Sequence, residues 1–277
     1  MRILEMLKAF LLGLVEGITE WLPISSTGHM ILLNELITLD VSPAFWELFE
    51  VVIQLGAILA VIVLFFGKLN PFAPSKSAEE KKQTWGLLFR VILAVIPSAV
   101  IGLLLDDWLN EHLYNYQTVA VMLIVYGIAF IVVERVKRNA AFRVEAMEQM
   151  SWKDALLVGG FQVLSVIPGT SRSGATILGG MLFGLSRSAA AEFSFYLAIP
   201  TMAGASLLKG VKFFAEGNRV SGEEWLLLAV GCLTAFLVSL LVIRYLMDYV
   251  RRHSFAAFGV YRIVLGLLVL GYFLLFA

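Results

Sequence analysis

The chain has 277 residues, 60% of them hydrophobic and only 15% charged, with 21 basic and 21 acidic side chains that cancel to zero net charge. Soluble globular domains carry roughly 45–50% apolar and about 25% charged residues, so the composition excludes a soluble fold, a disordered chain and a nucleic-acid binder, which needs a basic field. The single cysteine, Cys232, lies in an apolar run and excludes a disulfide framework or a cysteine-built metal centre. What remains is an all-α integral membrane protein.

A bilayer core about 30 Å thick takes roughly 20 apolar residues per helix. The first apolar stretch, 4–33, is interrupted by Glu16, Glu20, Pro23 and the run Ser25-Ser26-Thr27-Gly28-His29. It reads as half-helix, polar turn and half-helix, a re-entrant hairpin, since bare backbone at membrane depth survives only inside protein or beside water. Arg2 and Lys8 ahead of an apolar run imitate a signal peptide, but two glutamates follow in the same helix and no small-x-small cleavage site appears. Spans follow at 48–66, 87–105 and 119–133. A second interrupted stretch, 155–185, is broken by Pro168-Gly-Thr-Ser-Arg-Ser-Gly174 and reads as a second re-entrant hairpin. Spans at 189–208, 225–243 and 255–276 bring the total to six transmembrane helices.

Basic residues in short loops set the orientation. The segments 68–90 and 135–153 carry five Lys/Arg each, whereas the loop 106–117 carries none but holds Asp106, Asp107 and Glu111. The first two are therefore expected inside and the third outside, with Lys209, Lys212 and Arg219 running against the trend.

A shift of 146 residues places Gly13 on Gly159, Glu16 on Gln162, Ser25 on Ser171, Thr27 on Ser173 and Gly28 on Gly174. With one inserted residue Pro23 also meets Pro168, and further on Glu50 pairs with Glu192. The matches fall on polar, Gly and Pro positions, the rare ones in this chain, which favours a duplication over chance. The chain is then one membrane domain, 1–277, with repeat one at about 1–140 and repeat two at about 150–277. Three spans per half is an odd number, so the halves insert with opposite topology and the two polar turns meet near mid-membrane. Glu50 and Glu192 read as structural, hydrogen-bonding the hairpins. The small-xxx-small pairs Gly13/Gly17, Gly56/Ala60 and Gly180/Gly184 favour close helix packing.

Glu16 and Glu20 are four apart on one helical face, and intramembrane acids are functional candidates by default. Their repulsion calls for a cation, a shared proton or an arginine. Ser25, Ser26, Thr27, Gly28 and His29 put hydroxyls and free N–H groups at a helix start, an arrangement that binds anions. A helix cap needs one such residue, and this turn offers three and a histidine. Ser26 and His29 are close enough for a nucleophile and its base, or for a ligand and an acid. Gly169, Thr170, Ser171, Ser173 and Gly174 frame Arg172, whose planar fork matches a phosphate. Carboxylates, a serine–histidine pair, hydroxyls and an arginine together suit phosphoryl transfer, with Glu16 and Glu20 as ligands for a divalent cation, Mg²⁺ or Ca²⁺.

The runs Glu16-Gly-Ile-Thr-Glu20-Trp-Leu-Pro23-Ile-Ser-Ser-Thr-Gly-His29 and Pro168 to Gly174 resemble the two signatures of the undecaprenyl-diphosphate phosphatase family of the bacitracin-resistance type. Length, span pattern and the run Glu192 to Pro200 extend the resemblance over essentially the whole chain. It implies a bacterial inner-membrane hydrolase that removes the terminal phosphate of the C55 isoprenoid diphosphate. The product is the monophosphate carrier lipid used for peptidoglycan, and the activity underlies bacitracin resistance. By the same resemblance Glu16 and Glu20 form the acidic motif, Ser26 is the proposed nucleophile, His29 the acid–base and Arg172 the diphosphate clamp. Activity depends on a divalent cation, and the site opens to the external side. Ser25, Thr27, Gly28, Gly169, Thr170, Ser171, Ser173 and Gly174 line the phosphate site, and either Ser26 or a His29-activated water attacks. The expected partners are the polyprenyl diphosphate lipid, the bilayer and a second copy in a homodimer, with no nucleic acid.

The rival reading is a transporter or flippase of a phosphorylated polyprenyl lipid, since broken helices in inverted repeats are transporter architecture. A carrier has little use for a serine–histidine pair beside two acids. The lipid-phosphate phosphatase superfamily needs a second histidine in the site, and His112 and His253 fall in loops on opposite sides.

Overall fold

The computed structural model describes residues 2–138 and 140–276, the side chains of Asp106, Asp107, Asn110 and Phe276 excepted. Over these residues the chain is helical, in the order α1 (Arg2–Thr19), α2 (Ser26–Leu36), α3 (Pro43–Leu64), α4 (Phe66–Leu69), α5 (Ala78–Leu113), α6 (Tyr116–Val136), α7 (Trp152–Gln162), α8 (Arg172–Leu182), α9 (Arg187–Ala215), α10 (Gly222–Arg252) and α11 (Ala256–Phe276). The long helices begin at polar punctuation. Ser42 caps α3 with Pro43 in its first turn, Asn115 caps α6, and reciprocal boxes of Ser77 with Glu80 and Ser221 with Glu224 open α5 and α10. Each satisfies N–H groups that the first turn leaves without partners.

Five helices are long and apolar enough to cross a membrane: α3, the Ala78–Leu105 part of α5, α6, α10, and α11 over Ala256–Leu275. The chain is a multi-pass membrane protein. The sixth expected span, 189–208, lies within α9, whose 29 residues reach about 43 Å at about 1.5 Å per residue. That helix is too polar to join the five, carrying Glu192, Ser194, Thr201 and Ser206. Its stretch from Phe193 to Ala198 is buried throughout, and a helix walled by protein can hold polar groups that a lipid-facing one cannot. The expected loop 106–117 is mostly helical too, because α5 continues to Leu113; the side chains of Asp106 and Asp107 lie outside the described residues.

The two helix–turn–helix units, α1 with α2 and α7 with α8, lodge between the long helices. A carbon added at Gly13 of α1 would strike the carbonyl oxygen of Gly231 on α10, and one at Gly159 of α7 would strike that of Ala94 on α5. Each interrupted unit therefore lays its first arm against the second long helix of the other half of the chain. Gly17 and Gly56 meet α10 at Ala235 and Cys232, and Gly180 faces Ala190, as close packing requires, whereas Gly184 lies past the end of α8 with φ 95° and serves the turn instead. Trp21, fully buried in the first turn, stands edge-on to Phe195 of α9 at 5.4 Å between ring centres. At the far end of α6, Glu134 accepts from Arg187 of α9 and from the Phe255 N–H at 2.7 Å, tying three segments together.

Candidate active site

Each interrupted helix restarts on a strained serine. Ser25 and Ser171 both have φ 72°, and among the described residues they alone, apart from glycines, hold a positive φ. Such a backbone costs about 1–3 kcal/mol and persists only where the surroundings over-determine it, as at functional sites. Ser25 Oγ accepts from the Gly28 N–H at 3.3 Å, and Ser171 Oγ accepts from the Gly174 N–H at 3.1 Å. The same cap thus opens α2 and α8, 146 residues apart. In these caps both hydroxyls act as acceptors, which leaves the O–H of each outside the cap itself. What they contribute is the aim of the following N–H groups, at helix ends that carry partial positive charge.

The two turns meet. Ser173 Oγ donates to the Glu20 carbonyl at 3.0 Å. Arg172 donates to Glu20 Oε1 through Nη2 at 3.1 Å and Nε at 3.3 Å, while its Nη1 donates to the Ser194 carbonyl of α9 at 2.8 Å. The other Glu20 oxygen, Oε2, accepts from Ser26 Oγ at 3.3 Å. A chain of contacts therefore runs from Ser26 through Glu20 to Arg172, joining the first turn to the second. Glu16, one helical turn back and 1% exposed, lies within the electrostatic reach of Glu20, Glu50 and Arg172, and its Oε1 is buried with no hydrogen-bond partner.

His29 contacts Ser25 and Tyr261 in this structure, and not Ser26. Its Nδ1 lies 2.7 Å from the Ser25 carbonyl and its Nε2 lies 2.7 Å from the Tyr261 hydroxyl of α11, with the two rings stacked. A carbonyl only accepts, so Nδ1 carries the proton in the neutral ring, and Nε2 accepts from Tyr261. Both nitrogens are engaged elsewhere, and the group that receives the Ser26 hydroxyl is Glu20. The pairing of Ser26 with His29, three apart in sequence, gives way to one with a carboxylate six residues upstream.

The remaining expected residues surround this centre. Thr27 is half-buried, and Thr170 is fully buried with Oγ1 lacking a partner. Gly28 packs on Leu123, and Gly174 lies close to the Arg262 guanidinium. Gly169 combines φ 89° with so close an approach to the Val119 backbone that no side chain fits. Gln162, in the place of Glu16 in the second half, donates to Ser98 Oγ at 2.6 Å and to Thr201 Oγ1 at 3.2 Å, a packing role. Glu192 accepts from Lys68 Nζ and from the Tyr196 hydroxyl instead of a hairpin.

Three contributors escaped the motif reading: Ser194, Tyr261 and Arg262. Arg262 is fully buried, and its Nη1 donates to the Pro23 carbonyl at 3.1 Å while its Nη2 donates to those of Gly169 and Thr170 at 2.8 and 2.9 Å. The available signal was an arginine inside the apolar run 255–276, a costly residue in lipid unless it has a task. Among the described residues no group of three or more His, Cys, Asp or Glu side chains stands ready to hold a metal ion. The acidic donors at the centre are Glu16 and Glu20.

Residues 9–268 match the family described as bacitracin resistance protein BacA. An undecaprenyl-diphosphatase of Streptococcus thermophilus is 58% identical over 270 residues, covering 98% of this chain and 94% of that protein. Undecaprenyl-diphosphatases of Enterococcus faecalis and Limosilactobacillus fermentum are each 56% identical, over 96% and 99% of this chain and 97% and 99% of those proteins. With that match extending across both turns and every long helix, the chain belongs to the BacA bacitracin-resistance family.

Proposed function

We propose that this chain is an undecaprenyl-diphosphatase, which hydrolyses the terminal phosphate of undecaprenyl diphosphate to give undecaprenyl phosphate and inorganic phosphate. It thereby recycles the carrier lipid for peptidoglycan synthesis and supports bacitracin resistance. The observation that carries this reading is the contact chain Ser26–Glu20–Arg172, which places a hydroxyl, a proton acceptor and a phosphate-matching cation together where two helix N-termini converge. The relatives' names point the same way.

The arrangement in the membrane is six transmembrane helices, α9 included, plus two re-entrant hairpins in an inverted repeat. The equal offset of Ser25 from Ser171 and of Gly13 from Gly159, with like backbone geometry and like packing, supports it. The protein resides in the bacterial inner membrane, with its site open to the external side; the basic segments 68–90 and 135–153 support that orientation.

In the reaction the polyprenyl tail stays in lipid and the diphosphate lies at the starts of α2 and α8. Arg172 and the first-turn N–H groups neutralise it. Ser26 Oγ attacks the terminal phosphorus and its proton passes to Glu20 Oε2. The bond from phosphorus to the bridging oxygen breaks, and undecaprenyl phosphate leaves with the electron pair. Water then cleaves the phosphoserine, with Glu20 taking part in the proton exchange. Glu16 and Glu20 fit a divalent cation, Mg²⁺ or Ca²⁺, of the kind that takes one or two carboxylates and completes its shell with phosphate oxygens; the unpartnered Glu16 Oε1 supports this. Held there, such an ion would supply charge neutralisation at the phosphates.

The test is phosphate release from undecaprenyl diphosphate by purified protein in detergent, with and without EDTA. Release abolished by EDTA and restored by Mg²⁺ or Ca²⁺ supports the hydrolase and the cation. Release indifferent to EDTA removes the cation from Glu16 and Glu20, and no release from folded protein puts a carrier of the lipid in the enzyme's place.

A further inference from the structure

Arg262 is a cation buried without solvent contact, and it is turned toward backbone alone: its two terminal nitrogens reach the carbonyls of Pro23, Gly169 and Thr170, with the guanidinium 5.5 Å from the Tyr126 ring centre. Burying an arginine is costly, and carbonyl dipoles repay only part of the cost. Pro23 and Gly169 are 146 residues apart, the offset that separates Ser25 from Ser171. A single planar fork therefore grips the equivalent carbonyl of both turns, each two residues ahead of the strained serine. The fork's fixed geometry sets the separation and register of the turns, hence the point at which α2 and α8 aim their N–H groups. Gly174, the first-turn residue that donates to Ser171, is so near Nη1 that an added carbon would lie 3.1 Å from it.

We infer that Arg262 is a positioning residue for phosphoryl transfer, clipping the two turns into the register that brings Ser26 and Glu20 of one against Arg172 of the other. The inference rests on the hydrolase reading above. Arg262 reaches the turns through their backbone carbonyls, so on this inference its loss misplaces the reacting groups without removing a ligand. Displacement on the order of 1 Å between reacting groups costs about 10² in rate, and a change realised in the transition state appears in kcat more than in KM.

The experiment measures kcat and KM for undecaprenyl diphosphate on folded, monodisperse parent, Arg262→Lys and Arg262→Met in detergent. Both variants are expected to lose kcat, by about tenfold to 10²-fold, with a much smaller change in KM; the lysine variant keeps more activity, because an ammonium preserves the charge and one carbonyl contact. Folded Arg262→Met with kcat near the parent's overturns the inference, as does a rise in KM alone. An Arg262→Lys that cannot be recovered folded also overturns it, assigning the residue to the fold and not to the site. A parent that releases no phosphate refutes the hydrolase reading instead, so the two failures are distinguishable.

Discussion

Arg172 and Glu20 are 152 residues apart in the chain and 3.1 Å apart in the structure. Their side chains are 10% and 7% exposed. Removing one member of so buried a pair leaves the other uncompensated, at about 3–5 kcal/mol, so the contact binds the two turns as well as arming them. The Arg172 fork also reaches the Ser194 carbonyl, which anchors it to α9.

Arg172→Lys is therefore not a conservative change. A lysine ammonium can reach Glu20 or the Ser194 carbonyl but cannot reproduce the fork on both or the paired contact with a phosphate. Phosphate release by Arg172→Lys should fall well below the parent, and that of Arg172→Ala by about 10²–10³, the loss seen when one preorganised charge contact is removed. Activity of Arg172→Ala within about tenfold of the parent removes it from the mechanism.

Ser26 and His29 should separate. With Glu20 receiving the Ser26 hydroxyl and His29 engaged by Ser25 and Tyr261, Ser26→Ala should be the more damaging of the two, and Ser26→Cys a poor rescue. Brief exposure to substrate labelled in the terminal phosphate, followed by acid quench, should leave label on the parent and none on Ser26→Ala. Near-normal turnover by Ser26→Ala makes water the nucleophile.

Ser25→Gly and Ser25→Ala test what the strained serine is for. Glycine adopts φ 72° freely and caps a helix almost as well as serine, whereas alanine keeps the strain and forfeits the cap, at about 0.5–2 kcal/mol. Thermal melting in detergent should place Ser25→Ala below Ser25→Gly, and Ser25→Gly should still release phosphate. A folded but inactive Ser25→Gly would make the hydroxyl a phosphate ligand.

Asp154, in the first turn of α7, carries a pH signature. Burial alone would raise its carboxyl, but hydrogen bonds from Arg143 and Ser151 outweigh burial and hold it below the usual aspartate range. A depressed folded-state value contributes stability above the unfolded value, near about 3.9, and loses it as pH falls through the folded one. Asp154→Asn should thus melt below the parent at neutral pH, with the gap closing in acid beneath about pH 4. A gap unchanged across that range would mean that the charge contributes nothing.

The turns were legible in the sequence because serine, glycine, histidine and glutamate are conspicuous in an apolar chain, and the 146-residue offset foretold that Ser25 and Ser171 would match. The partnerships were not. Ser26 and His29 are three apart and so look like neighbours on a helix, but the ring of His29 is turned by Tyr261, 232 residues away, and no local pattern records that. The sixth span is less plain in the structure than in the sequence for a related reason: the first half of α9, to Ala198, is largely buried against protein and carries Glu192 and Ser194 there, so its composition follows its neighbours as much as the bilayer. Arg262 was visible as a charge in an apolar run, yet its task follows only from the convergence of two turns upon it.

The central claim is that the two turns form one site, and a double-substitution cycle tests it most directly. Phosphate release per folded enzyme is measured for the parent, Glu20→Gln, Arg172→Ala and the double variant. Groups that act as a unit are grossly non-additive, so each single change should cost about 10²–10³ and the double variant should be no worse than the poorer single. A double variant that falls by the product of the two single losses would mean that the turns act independently and would contradict the account.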